Sequence, residues 1–206
     1  MAAREDAVII NSLVRQALTS MQEVMGDNGL NAVLKTCNLE KFVGNFPPNN
    51  LEPSIKASQY AHLNQAIEDF YGRAGKGMLR RIGKASFQYG VREQAALLGI
   101  AGVALKLLPE KQRIKFILNG MADALKKSNS QVEAWVDESG ERLAYIESTC
   151  AICHSRQSTD PVCHLYVGSI QEAVHWATGK DYQIVETHCL AKGDEHCRFE
   201  VGEVRA

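Results

Sequence analysis

Between Ala7 and Met25 the apolar residues Val8, Leu13, Ala17, Met21, Val24 and Met25 recur at mixed three- and four-residue spacings, the period of an amphipathic helix. Asp27-Asn28-Gly29 interrupts that pattern, and a shorter helix through Leu30, Val33 and Leu34 follows. Phe46-Pro47-Pro48-Asn49-Asn50 marks a loop, because paired prolines and asparagines do not continue a helix. A helix over about Ser58 to Tyr71 then leads into a long glycine-dotted segment from Gly75 to Leu108. Pro109 opens a further helix that ends near Lys126-Lys127-Ser128-Asn129, so residues 5 to about 130 read as helical.

The period changes at Gln131. Val132, Ala134 and Val136, then Leu143 and Tyr145, alternate with polar residues around Asp137-Glu138-Ser139-Gly140, which predicts a β-hairpin turning at Ser139-Gly140. Val162, Leu165, Tyr166, Ile170, Ala173, Val174 and Ala177 return to helical spacing, with Gly179 where a C-cap belongs. A second hairpin is predicted from Tyr182–Leu190 and His196–Val201 about Lys192-Gly193-Asp194. The expected class is α+β: a layer of helices packed on a four-stranded antiparallel sheet whose hairpins are separated by one helix.

Composition narrows the function. The 206 residues are 45% hydrophobic and 23% charged, values of a globular chain that buries a core. With 23 basic and 24 acidic residues there is no electrostatic footprint for nucleic acid and no polybasic attraction to anionic lipid. The longest apolar stretch, Ala95 to Leu105, falls well short of the ~20 residues that span a bilayer. The start, Met-Ala-Ala-Arg-Glu-Asp, lacks the apolar run of a secretion signal, so a cytoplasmic protein without a membrane span is expected.

Cysteine is the exception to this ordinary composition. Cys37 stands alone, a core thiol, whereas Cys150, Cys153, Cys163, Cys189 and Cys197 crowd the last part of the chain. In a reducing compartment such a cluster points to metal or redox chemistry rather than disulfides. Gly193 lies four residues from both Cys189 and Cys197, so a turn there sets the two thiols opposite each other. Opposed Cβ atoms are about 4.5–5.5 Å apart, close enough to share an ion. Zinc takes four ligands, mostly cysteine and histidine with an occasional carboxylate. Cys163, at the start of its helix, is the natural third, since a helix N-terminus favours a thiolate. Cys150, Cys153, Glu186 and His188 compete for the fourth place, and spacing alone does not decide. A zinc ribbon is excluded, because it needs two C-x-x-C pairs and this chain has one.

Pro161-Val162-Cys163, Gly168, Gly179 and the run from Val185 to Val201 (VETHCLAKGDEHCRFEV) carry a resemblance. The string E-x-x-C-x-A-x-G-x-x-x-C-x-F within it resembles the 4-vinyl-reductase domain family, over about residues 75–202. The resemblance implies a small-molecule-binding fold like that of TRAPP-complex subunits and of the sensor domains of aromatic-responsive regulators. It implies a homodimer and a zinc ion held by Cys163, Glu186, Cys189 and Cys197, with Lys192, Arg198 and the flanking histidines offsetting the negative charge. Residues 1–74 match only in being helical, and are expected to form an N-terminal region packing on the core or the dimer partner beside a ligand-binding domain over 75–206.

Cys150 and Cys153, in Cys-Ala-Ile-Cys-His, look like a c-type haem attachment signature, but that chemistry takes place outside the cytosol. A second metal site, an iron–sulfur ligand pair or a redox dithiol stay open for them. Gly72 to Arg81 mimics a phosphate loop but lacks its G-K-[ST] ending and a preceding strand. The basic face of Arg73, Lys76, Arg80 and Lys84 reads as solvated surface, and Gly90, Gly99 and Gly102 as sites of close helix packing. No catalytic constellation emerges, and no nicotinamide or flavin fingerprint is present. Phe87, Tyr89, Trp135, Tyr145, Trp176 and Ile184 are the candidate lining of an apolar pocket between helices and sheet, Ile184 foremost because it precedes Glu186 by two residues. The leading expectation is a zinc-containing sensor or carrier for a small apolar, aromatic or tetrapyrrole ligand. The alternatives are a component of tetrapyrrole metabolism that uses Cys150 and Cys153, and a TRAPP-like assembly module.

Overall fold

The computed structural model describes residues 6–93, 105, 107–128 and 132–204. The described residues open not with helix but with a short strand β1 (Val8–Ile10), which pairs antiparallel with β2 (Pro53–Lys56). Periodicity missed this ribbon because Val8-Ile9-Ile10 is both strand-like and in phase with the helix after it. Helix α1 (Asn11–Thr36) follows, broken at Gly26, whose φ of 71° and ψ of 168° leave the helical region. The expected interruption is therefore present, one residue ahead of Asp27-Asn28-Gly29. Helices α2 (Ala57–Tyr71), α3 (Gly75–Glu93) and α4 (Glu110–Ser128) complete the first part. The candidate packing glycines Gly99 and Gly102 lie outside the described residues.

The sheet contains β3 (Ala134–Asp137), β4 (Ala144–Glu147), β5 (Tyr182–His188) and β6 (Cys197–Val204), in the antiparallel order β3-β4-β6-β5. Helix α5 (His164–Thr178) separates the two hairpins and ends at Gly179 in the left-handed region, φ 74°. The α+β expectation is met: helices pack on a four-stranded antiparallel sheet. Register explains what faces inward. Tyr145 opposes Phe199 and Glu147 opposes Cys197, while Ile184 opposes Val201 and Glu186 opposes Phe199. One sheet face thus carries Tyr145, Glu147, Cys197, Phe199, Val201, Ile184 and Glu186, all buried. Tyr166 of α5 packs its ring 5.6 Å from Phe199 and 5.9 Å from Tyr145, joining helix to sheet.

Helix α3 lies against α5 at a very close approach. A Cβ on Gly168 would stand 2.0 Å from the Arg80 carbonyl oxygen, and one on Gly83 would stand 2.0 Å from that of Leu165. These glycines let two backbones touch, and of the expected positions Gly90 faces α1, where a Cβ would stand 3.3 Å from Gln16 Nε2. Helices α1 and α2 pack on the other side of α3, and one hydrophobic core runs from Val14 to Val201. No helix among the described residues is long and apolar enough to cross a membrane.

Candidate metal centre

Cys163 is the residue before α5, so its backbone faces the positive end of the helix dipole. Its N–H donates to Glu186 Oε2 at 2.8 Å, tying the helix start to β5. Cys197 begins β6 on the inner sheet face. Cys189 ends the extended run after β5, where its N–H donates to Asp194 Oδ2 at 2.7 Å across the turn at Gly193, φ 94°. Cys163 Sγ lies 3.8 Å from Cys197 Sγ and 3.9 Å from Cys189 Sγ. Cys150 Sγ approaches Cys163 Sγ at 3.6 Å, and Cys153 Sγ approaches Cys197 Sγ at 3.5 Å. All five thiols are buried.

Two groups of ligand atoms lie within 4.8 Å of one another: Cys163, Glu186, Cys189 and Cys197, and Cys150, Cys153, Cys163 and Cys197. They share Cys163 and Cys197. Three of the four candidates for the fourth place therefore converge, and His188 does not. A bulge between Glu186 and His188 takes the histidine out of the inward alternation, and it stacks in the exposed turn region on His196 at 5.7 Å.

A zinc–sulfur bond of about 2.3 Å sets the edge of a tetrahedron at roughly 3.8 Å. The sulfur separations, 3.8–3.9 Å among Cys163, Cys189 and Cys197 and 3.5–3.8 Å among Cys150, Cys153, Cys163 and Cys197, suit one ion in either group. An iron–sulfur cluster holds its cysteines farther apart, so the packing suits an ion better. Glu186 Oε1 has no hydrogen-bond partner among the described residues although it is buried. Burial, reinforced by the neighbouring Cys189, pushes the Glu186 carboxyl up to about 9, and burial pushes the Cys163 thiol well up. The surrounding thiols instead bring Cys189 and Cys153 down to about 6, so the centre mixes ligands that resist ionisation with ligands that favour it, and a cation would hold all of them in the ionised form.

The expected charge compensation differs. Arg198 turns to the outer sheet face, where it pairs with Asp137 at 2.6 Å and Glu200 at 3.0 Å, because β6 alternates and Cys197 takes the inner face. Lys192 pairs with Asp194 at 3.6 Å and so reaches the centre only through the acceptor of Cys189 N–H.

Next to the cluster lies a cavity of about 460 Å³, bounded by β1, α1, the end of α3, α4, β4 and α5. Of the expected lining, Phe87 and Tyr145 border it; Ile184, Trp135, Trp176 and Tyr89 do not. Ile184 is buried on the inner face away from the cavity, Trp135 is 43% exposed on β3, and Trp176 packs against Phe87 from behind. Sequence reasoning missed Tyr60, Glu147, Tyr166 and Ile152. Period-two alternation from Tyr145 does place Glu147 on the inner face, a signal present in the sequence. Ala151 and Ile152 border the cavity while Cys150 and Cys153, on either side of them, face the thiol cluster. The C-x-x-C loop is a wall common to both.

Residues 138–203 match the V4R domain family. This segment is similar to that domain. It covers both hairpins from the first turn onward, α5, and every residue of both candidate ligand groups. A comparison with curated proteins finds no match. In three dimensions the chain is similar to an H-NOX protein from S. oneidensis in the Fe(II)NO ligation state (12% identity, 93% of this chain and 99% of that chain, TM-score 0.58). It is also similar to an oxygen-binding H-NOX domain related to soluble guanylate cyclases (11% identity, 94% of this chain and 93% of that chain, TM-score 0.59). A mutant H-NOX protein from K. algicida in the unliganded Fe(II) state is comparable (14% identity, 93% of this chain and 96% of that chain, TM-score 0.59). At such identities the likeness establishes the fold.

Proposed function

We propose that the chain is a ligand-binding protein of sensor or carrier type, with a small apolar or aromatic molecule in the cavity and a structural zinc ion beneath it. The observation that carries this reading is the adjacency of the two sites: a largely apolar cavity of about 460 Å³, of the size small-molecule sites have, walled by the loop that also carries two of the five clustered cysteines. Cys163, Glu186, Cys189 and Cys197 would hold the ion, as the family resemblance implies. Four protein ligands leave no open position, so zinc at this centre would fix the V4R-like hairpin and helix rather than polarise a substrate. Cys150 and Cys153 stand close enough to replace Glu186 and Cys189.

The H-NOX structures named above suggest a test of haem in the same cavity. Among the described residues that line it, Tyr60, Tyr145, Tyr166 and Met121 are the side chains of a kind that ligates haem iron, with no histidine or cysteine, and there is no lysine or arginine to meet the propionates. Without a cation to meet two propionates, the lining favours a smaller, uncharged or donor-bearing molecule over a tetrapyrrole.

A metal-to-protein ratio with native mass spectrometry tests the proposal. About one zinc per chain and a colourless protein are expected, with Cys197→Ser losing the ion and Glu186→Gln weakening its retention. Full zinc occupancy in Cys197→Ser, or bound iron, would overturn the ligand set.

A further inference from the structure

One group in the cavity wall is not satisfied by an apolar ligand. Glu147 is only 2% exposed, yet it lines the cavity, and its Oε2 has no hydrogen-bond partner among the described residues. Its position follows from the strand: β4 alternates, Tyr145 and Glu147 share the inner face, and the cross-strand partner of Glu147 is Cys197. Three tyrosines surround the carboxyl. Tyr166, Tyr60 and Tyr145 line the same cavity and stand near enough to interact electrostatically with the carboxyl. Tyr145 Oη is itself unpartnered. Glu147 belongs to neither group of converging metal-ligand atoms, so the ion does not account for it. A buried acid with an orphaned oxygen carries the full cost of desolvation unless something outside the chain completes it.

We infer that Glu147 is the polar anchor of the cavity, accepting a hydrogen bond from an O–H or N–H at one end of an otherwise apolar ligand. The inference rests on the cavity being a ligand site and adds which chemistry that site selects. Three features act together. The rest of the lining is dominated by apolar and aromatic side chains such as Leu13, Phe87, Ile117 and Met121, which take a hydrocarbon body. Glu147, the one acid among the described lining residues, takes the donor. A ligand carrying a carboxylate meets no lysine, arginine or histidine among the described lining residues to offset its charge. Burial raises the Glu147 carboxyl to about 8, in keeping with an acid that lacks a counter-charge of its own.

Calorimetric titration of the full, metal-replete chain with toluene, benzyl alcohol, benzylamine and benzoate tests this. The better of the alcohol and the amine should bind roughly ten-fold or more tightly than toluene, as a hydrogen bond to a buried acid provides, and benzoate should bind most weakly. Glu147→Met should keep toluene binding and abolish the advantage of the donors. Toluene binding with no donor advantage in the unaltered chain, or an advantage that survives in Glu147→Met, overturns the anchor while leaving the cavity assignment intact. No binding by any of the four overturns the cavity assignment and the anchor together. Should Glu147→Met fail to melt cooperatively, the ligand series on the unaltered chain decides alone.

Discussion

Glu186 and His188 sit two residues apart on one strand, yet only the glutamate reaches the thiols, because the bulge between them reverses the side on which the histidine emerges. A chemically reasonable ligand is lost to a single irregularity in the ladder, which no spacing rule anticipates. Arg198 is the same lesson in a regular strand, turned outward by the alternation that turns Cys197 inward. His164, immediately after Cys163, offers a pH test at this scale. It is buried near Glu68, with Nε2 3.8 Å from Oε1. Burial, helped by Arg80, Lys76 and Arg156 and opposed by Glu68, lowers its pKa from 6.5 to about 4. The unfolded chain therefore takes up a proton near pH 6.5 that the folded chain refuses until about pH 4. Stability that is complete above the first value is lost as the pH falls toward the second. Urea midpoints across that window should fall less steeply for His164→Gln than for the unaltered chain; parallel profiles would show that His164 is not the group responsible.

The contact of α3 with α5 decides the middle of the molecule. Gly83 and Gly168 each face the other helix's backbone, and Ser169 Oγ donates to the Gly83 carbonyl at 3.0 Å. This crossing fixes where α5 begins and hence where Cys163 presents its sulfur. Gly168→Ala sets a methyl against the Arg80 carbonyl oxygen, which cannot move without shifting α3. A loss of about 3 kcal/mol or more is expected, at the upper end of overpacking costs, with weaker zinc retention alongside. Thermal and urea unfolding measure the first and a metal-to-protein ratio the second. Gly77→Ala, on the same helix with open space around it, should be neutral or slightly stabilising, because alanine is the better helix former. Helices α2, α4 and α5 were legible from apolar spacing and from proline and glycine punctuation, whereas α3 was read only as part of a long glycine-dotted segment within the helical region. The β1–β2 ribbon was not, since three residues carry too little pattern to separate a strand from a helix start.

Across the whole molecule the loop from Cys150 to Cys153 links two sites that the sequence keeps apart. Its cysteines face the thiol cluster and its Ala151 and Ile152 face the cavity, so the two sites share this segment. It is anchored on α2 through Arg156 Nη2 to Glu68 Oε2 at 2.9 Å and on the N-terminal segment through His154 Nε2 to Asp6 Oδ1 at 3.5 Å. Removing the ion with a chelator should therefore weaken binding of a cavity ligand such as benzyl alcohol. By linkage, the ligand should raise zinc affinity by the same factor. Titrations in both orders measure the two factors, and independence of the two bindings would show that the shared wall is rigid.

The sequence by itself determined the α+β class, the two hairpins with the helix between them, and the identity of Cys163, Cys189 and Cys197 as residues brought together. These depend on period, turn chemistry and short-range register, all written locally. Only the tertiary structure decided that Cys150 and Cys153 join the same cluster. The reason is that a loop after β4 folds back on the start of α5, a contact set by packing rather than by spacing. It also decided that Glu147, read along the chain as one more polar residue, ends in an apolar cavity. That cavity exists only where α1, α3 and α4, distant in sequence, close over the sheet.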